Sequence, residues 1–286
     1  MAEAQIGIIG GSGLYNMEGL TDIEEVKPKT PFGEPSDAIV TGTLEGKRMA
    51  FLPRHGKGHR INPTNIPVRA NIFALKTLGV ERVVSVSAVG SLQEEIRPLD
   101  LVVPDQLIDR TKSRTNSFFE GGIAVHVAFA DPFCPDLSEA LYEVADSVGA
   151  RVHKGGTYLV IEGPLFSTRA ESELYRSWGA SVIGMTALPE AKLAREAEMC
   201  YTTLACATDY DCWHDSHESV SVEMVVNNLL KNVALSQKIV KALMRRIPEP
   251  TACGCRDALK DAIITSRAHI PPQLRRELKP LIGRYL

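Results

Sequence analysis

Short runs of consecutive apolar residues alternate along this chain with stretches whose apolar positions recur at helical spacing. The runs are Ile6–Ile9, Met49–Leu52, Arg82–Val86, Leu101–Val103, Thr157–Ile161, Ser181–Met185 and Tyr201–Ala207. In several of them successive residues are apolar, which suits central strands covered on both faces, although a buried helical turn gives the same pattern. Helical spacing marks Val68–Leu78 and Leu137–Val148, the second with Ser138 as its expected cap. Thr168-Arg169-Ala170-Glu171 has the spacing of a capping box and predicts a helix through Trp178. Pro189 suits the first turn of a helix reaching about Met199, and Val222–Leu243 reads as a long amphipathic helix. Pro248 and Pro250 then interrupt the pattern, leaving 251–286 as a helical appendage too small for its own core. Alternating strands and helices without an internal repeat predict a single α/β domain over residues 1–286.

Composition narrows the function more than the fold. The 286 residues are 44% hydrophobic and 23% charged, which excludes wholesale disorder. Charges of 32 basic and 35 acidic residues leave a net −3 with no long run of one sign, so neither nucleic acid nor a membrane surface is an expected partner. No apolar run approaches the roughly 18 residues of a membrane span. The first residues, Met1 to Gln5, enter a strand-like segment without a basic region or cleavage site, so a cytoplasmic location is expected.

Six cysteines in a chain of this length are no disulfide framework by count alone. Cys134, Cys200, Cys206 and Cys212 lie in or beside apolar segments and read as buried free thiols. Cys253-Gly254-Cys255 could close a strained small-loop disulfide, bind a metal, or do neither. Metal ranks last, because no second closely spaced Cys/His pair accompanies it, and no metal site is expected.

Ligands of open α/β sheets bind beyond the carboxyl ends of strands, so the residues that follow each strand carry the candidate chemistry. The first strand runs into Gly10-Gly11-Ser12-Gly13. That is neither a dinucleotide fingerprint, since Asn16 stands at the third glycine position, nor a P-loop, since no lysine follows. It is a tight turn, or an anion nest with the Ser12 hydroxyl as an extra donor. Arg54 and His55 end another strand, where they could grip a phosphate, Arg54 bidentately, or form a solvated basic loop. Ser87-Ala88-Val89-Gly90 offers small residues and hydroxyls that suit either an oxyanion nest or close packing. Thr186 precedes a helix and could present its hydroxyl and amide to an anion. Phe166 is either a flat platform for a base or an ordinary core aromatic. Asp209 and Asp211 follow the last strand. In an extended chain they point the same way, and partial burial would raise their pKa values. One protonated and one ionised carboxylate would then offer both a donor and an acceptor; a metal pair or a capping loop would use the same residues. His214 and His217, nearby in a polar stretch, read as solvated.

Taken in order, these segments resemble the trimeric purine nucleoside phosphorylase family, and within it the 5′-methylthioadenosine phosphorylases. The stretches that carry the resemblance are Gly7–Leu14, Thr30–Asp37, Arg54–Gly56, Gly90–Glu95, Asp105–Arg110, Ile161–Ser172, Met185–Glu190, Ala207–Trp213 and Ser219–Val222. Each motif alone is weak; the set in register is specific and covers nearly the whole chain except the tail. The resemblance implies a central mixed, largely parallel twisted sheet flanked by helices. It also implies phosphorolysis of 5′-methylthioadenosine to adenine and 5-methylthioribose 1-phosphate, in methionine and purine salvage. Phosphate is then a co-substrate, and neither a metal nor an organic cofactor is needed. The resemblance places phosphate with Ser12, Arg54, His55, Ser87, Ala88 and Thr186, and the ribose with Met185. It places the base with Phe166 and Ser167, the purine N7 proton donor at Asp209, and recognition of the 6-amino group at Asp211. His126, Val222 and Val225 correspond to the pocket of the 5′-substituent. A homotrimer, or a homohexamer, is implied, with His126 reaching a neighbour's site.

Two positions depart from the family pattern. Gly184 stands where many relatives carry asparagine, and Leu165 replaces a common arginine. The alternative activity is therefore phosphorolysis of 5′-methylthioinosine or inosine. The Cys-x-Cys tail resembles that of some thermophilic members, where it is linked to disulfides.

Overall fold

The computed structural model describes residues 4–214, 222–247 and 253–286. Its strands are β1 (Ile6–Gly10), β2 (Thr21–Val26), β3 (Ile39–Leu44), β4 (Lys47–Pro53), β5 (Arg82–Ser91), β6 (Leu101–Val103), β7 (Gln106–Arg110), β8 (Val152–Lys154), β9 (Thr157–Ile161), β10 (Val182–Gly184) and β11 (Cys200–Asp209). The helices are α1 (Val68–Thr77), α2 (Pro135–Ser147), α3 (Arg169–Ser177), α4 (Ala187–Glu196), α5 (Val222–Arg246), α6 (Pro272–Glu277) and α7 (Lys279–Ile282). Every predicted apolar run is a strand. β2, β3, β7 and β8 went unpredicted because polar, exposed or glycine positions interrupt them; all but the last residue of β2 is exposed.

All eleven strands join one mixed sheet of order β2-β3-β4-β1-β5-β10-β9-β7, from which β11, β6 and β8 branch. β5 is the branch point: its first part pairs in parallel with both β1 and β11, and its last residues pair antiparallel with β10. Because β4, β1, β5 and β11 are mutually parallel, their carboxyl ends share one edge. Their sides are covered, so β1 and β11 are buried along their whole length, as continuous apolar runs require.

Helix starts follow local signals only in part. Thr168 and Glu171 make both halves of the predicted capping box at α3. At α2 the expected cap fails. Pro135 takes the first turn, Cys134 is the N-cap without a side-chain bond, and the Ser138 hydroxyl instead bonds that of Thr202 on β11. α4 carries a non-helical Leu188 before Pro189 and ends at Glu196, short of Met199. The tail from Cys253 adds short turns and α6–α7, and its Leu259, Ile270, Leu278, Leu281 and Ile282 belong to the main apolar cluster. Glu198, two residues past α4, ties it down by accepting from the Leu259 amide at 3.0 Å and from Arg284 at 2.9 Å.

Candidate active site

The shared strand edge carries two groups of side chains, one suited to an anion and one to a base. The anion group is built around Arg54, which leaves the end of β4 and is almost wholly buried. Its Nε donates to Glu190 Oε1 at 2.5 Å, Nη1 to the Val86 carbonyl at 2.9 Å, and Nη2 to Ser85 Oγ at 2.6 Å and Glu190 Oε2 at 3.2 Å. Tyr201 Oη also donates to Glu190, at 3.0 Å. This corrects one expectation. The guanidinium fork grips a carboxylate of α4, not a free ligand, so Arg54 offers an anion its field and its remaining Nη1 hydrogen.

His55 is corrected in the same direction. Its Nδ1 lies 2.8 Å from the Ile61 carbonyl, which can only accept, so Nδ1 carries a hydrogen. Burial first, and the Arg54 charge second, pull the ring's pKa down to about 4. The ring is therefore neutral at pH 7, and its Nε2 can grip a phosphate only as an acceptor.

Three buried hydroxyls complete the anion group. Ser87 Oγ on β5, Thr186 Oγ1 before α4 and Tyr158 Oη on β9 have no hydrogen-bond partner among the described residues. Ser87 and Thr186 both lie close enough to the Tyr158 phenol to favour its ionised form, although burial pushes its pKa up overall. Thr186 follows β10, whose Ile183 pairs antiparallel with Gly90 of β5, and it shares the neighbourhood of the Tyr158 phenol with Ser87. Buried hydroxyls without partners are uncommon and call for an explanation; here they line the strand edge that Arg54 underlies. Tyr158 went unrecognised in the sequence, where it is one apolar-run residue among many. It also explains Gly184: a Cβ there would lie 2.2 Å from Tyr158 Oη, so that phenol fills the space an asparagine would need.

The base group stands at the end of β11. Asp209 and Asp211 are 6% and 8% exposed, low enough for burial to push both carboxyls above the usual carboxylate range. For Asp211 the neighbouring Asp209 charge adds to the rise, while the Ser172 hydroxyl opposes it. The extended chain expected across this pair is absent: β11 ends at Asp209, and Asp211 sits in a turn with φ of +50°. That turn lets the Asp211 amide donate to Asp209 Oδ1 at 2.8 Å. A register shift between Ala207 and Asp209 in the pairing with β5 re-aims the strand end. Gly90, opposite Asp209, makes the approach possible, since a Cβ there would lie 2.9 Å from Asp209 Oδ1.

Thr208 serves Asp209 in both protonation states. Its Oγ1 lies 2.6 Å from Asp209 Oδ2 and 3.2 Å from the Val89 carbonyl. It donates to an ionised Asp209; when Oδ2 is protonated it accepts that hydrogen and turns its own to Val89.

The remaining predicted residues fall in distinct places. Met185 is half-buried, with Sδ 2.6 Å from where a Cβ on Gly163 would sit, so the left-handed Gly163 admits it. Phe166 is 49% exposed, and therefore not a core aromatic. Ser167 has a buried Oγ without a partner among the described residues. Arg114, unnoticed in the sequence, cross-ties this wall by donating to the carbonyls of Met185 at 2.6 Å, Leu188 at 2.7 Å and Glu162. His126 is exposed, and its segment pairs with the tail through Val125 and Ile263. Among the described residues nothing joins it to the site. The side chains of Ser12, Val222 and Val225 lie outside those described, as does His217. His214 is not solvated as expected: it stacks on Tyr210 at 4.6 Å and approaches Glu94 at 3.2 Å.

Residues 5–245 match the model of the phosphorylase superfamily. The chain is 57% identical over 285 residues to an S-methyl-5′-thioadenosine phosphorylase of Geobacter sulfurreducens, covering 99% of this chain and 100% of that one. It is 57% identical over 286 residues to the enzyme of the same name from Chloroflexus aurantiacus, covering 100% and 99%. A solved methylthioadenosine phosphorylase from an antarctic soil metagenomic library superposes with a TM-score of 0.93 at 49% identity, covering 98% and 99%.

Proposed function

The chain belongs to the phosphorylase superfamily, and from that membership we propose that it catalyses phosphorolysis of 5′-methylthioadenosine to adenine and 5-methylthioribose 1-phosphate. The observation that carries this reading is the pair of buried carboxylates with raised pKa at the end of β11, on the same sheet edge as the Arg54-backed hydroxyls. The names of the full-length relatives agree with it.

Cleavage of the glycosidic bond builds positive charge on the ribose and negative charge on the departing purine. Phosphate, the co-substrate, sits under the ring and supports the first charge. In this reading Ser12, Ser87, the Ala88 amide and Thr186 donate to it, and Arg54 supplies the field without leaving Glu190. Neutral His55 accepts the hydroxyl hydrogen of hydrogen phosphate at Nε2. Asp209, whose burial favours the protonated form, donates to purine N7 and relieves the second charge. Asp211 accepts from the 6-amino group. A 6-oxopurine would set its own acceptor against that carboxylate, a mismatch of buried polar groups worth roughly 10⁴ in selectivity. Phe166 and Ser167 border the base, Met185 the ribose, and Val222 and Val225 the methylthio group. No metal or organic cofactor takes part in the chemistry.

Location and assembly follow the same reading. No helix among the described residues is long and apolar enough to cross a membrane, which agrees with a cytoplasmic salvage enzyme. Exposed His126, unattached to the site within its own chain, fits a homotrimer in which it reaches a neighbour's pocket.

The test is a product assay with 5′-methylthioadenosine, 5′-methylthioinosine, adenosine and inosine, each with and without phosphate. Phosphate-dependent release of adenine, fastest from the methylthio nucleoside, is expected. Equal turnover without phosphate would make the enzyme a hydrolase, and faster release of hypoxanthine would overturn the roles given to Asp209 and Asp211.

A further inference from the structure

Four of the six cysteines meet at the opposite end of β11 from the carboxylates. Cys134 comes from the turn before α2, Cys200 opens β11, and Cys253 and Cys255 come from the start of the tail. Their four Sγ atoms all lie within 4.8 Å of one another, with Cys200 and Cys253 at 3.3 Å. All four thiols are free, and all but the half-buried Cys253 are buried. The second cysteine pair that the sequence lacked at close spacing is supplied by the fold, from positions 66 residues apart in the chain.

We propose that Cys134, Cys200, Cys253 and Cys255 form a tetrathiolate site for one structural zinc ion. Zinc bound to four sulfurs at about 2.3 Å in a tetrahedron sets them about 3.8 Å apart, within the 4.8 Å that contains all four sulfurs and close to the 3.3 Å between Cys200 and Cys253. The donor set is all sulfur, which suits a thiophilic ion and excludes magnesium and calcium, whose ligands are oxygens. Four protein ligands leave no open position, the mark of a structural and not a catalytic centre. Binding exchanges four thiol hydrogens for one divalent cation, so the site carries two negative charges. The Arg195 guanidinium is near enough to interact with Cys255 and offsets part of them. The surroundings are otherwise apolar, since Cys134, Cys200 and Cys255 belong to one buried cluster and Cys253 packs against it.

The placement gives the ion a task. Cys200 and Asp209 are the two ends of the ten-residue β11, and nine residue-to-residue steps of a strand span about 30 Å, so the metal stands well away from the chemistry. It pins the start of the tail to the sheet, and that tail delivers Leu259 and Ile282 to the main core.

The experiment measures zinc in full-length protein purified under reducing conditions without chelator. About one zinc per chain is expected, falling to near zero in Cys253→Ser/Cys255→Ser and retained in Cys206→Ala. X-ray absorption at the zinc edge of the unsubstituted protein, which does not depend on a variant folding, should show four sulfurs at about 2.3 Å. Zinc loss should lower the melting temperature while the turnover number at room temperature holds, separating this proposal from the catalytic one. Absence of zinc after growth in zinc-supplemented medium would overturn it. So would a non-reducing peptide map showing Cys134 joined to Cys200, or Cys253 to Cys255, in the native protein.

Discussion

At the scale of single residues, the active chemistry rests on how burial and a few hydrogen bonds divide the protons. In the proposed reaction Asp209 must hold a proton to give to the purine, so activity should fall as pH rises through its pKa, which burial has raised. The Thr208 hydroxyl stabilises the ionised form. Thr208→Val removes that donor and should raise the Asp209 pKa further, moving the alkaline limb of the kcat/KM profile upward by about one pH unit. An unmoved limb would mean that another group supplies the proton. Asp209→Asn should cut kcat/KM for 5′-methylthioadenosine by about 10²–10⁴, the usual worth of a general acid. Asp211→Asn should shift relative preference toward 6-oxopurine nucleosides, because an amide in place of the carboxylate that accepts from the 6-amino group can donate to O6. Steady-state kinetics on the adenine and hypoxanthine substrates reads both effects, and unchanged selectivity would refute the base-recognition argument.

Elements bring these residues together through β5, whose three pairings no local pattern announces. Gly90 is where that strand meets both Asp209 and β10. Gly90→Ala would place a methyl 2.9 Å from Asp209 Oδ1 and 3.2 Å from Ile183 Cγ2. Displacing the carboxylate should cost about 10²-fold in kcat, with a smaller stability loss of about 1–3 kcal/mol. Kinetics beside a thermal melt distinguishes the two, and an undiminished kcat would show that Asp209 tolerates displacement. At this scale the chain is readable where its signal is local. The capping box of α3 and the continuous runs of β1 and β11 depend only on neighbouring residues. The cap of α2 does not, because Pro135 pre-empts the helix start and frees Ser138 for Thr202. Exposed β2 carries no apolar run because one of its neighbours in the sheet order is missing: it is an edge.

At the scale of the whole molecule, the homotrimer proposed above makes a prediction about the surface. Leu165 is 83% exposed beside the half-exposed Phe166, an apolar rim that would be covered by a neighbouring chain. Light scattering on purified protein should return three times the 31.2 kDa of one chain, or six times for a pair of trimers; a monomer would leave His126 without a pocket to reach. The tail shows the same dependence on the whole. Its short helices are unremarkable one by one, yet their apolar residues complete the central cluster and its cysteines join two others.

The sequence by itself determined the α/β class, the apolar strands and the family. These follow from local periodicity and from motifs whose residues sit a few positions apart, so no folded context is needed to see them. Only the tertiary structure decided what those residues do to one another. Arg54 meets Glu190 across 136 positions and turns from a free fork into a held charge. His55 finds the Ile61 carbonyl and becomes an acceptor. Tyr158 fills the space beside Gly184, and four cysteines from three places converge. Each of these is a contact between segments distant in sequence, set by strand pairing and burial, and neither quantity is carried by any short stretch of the chain.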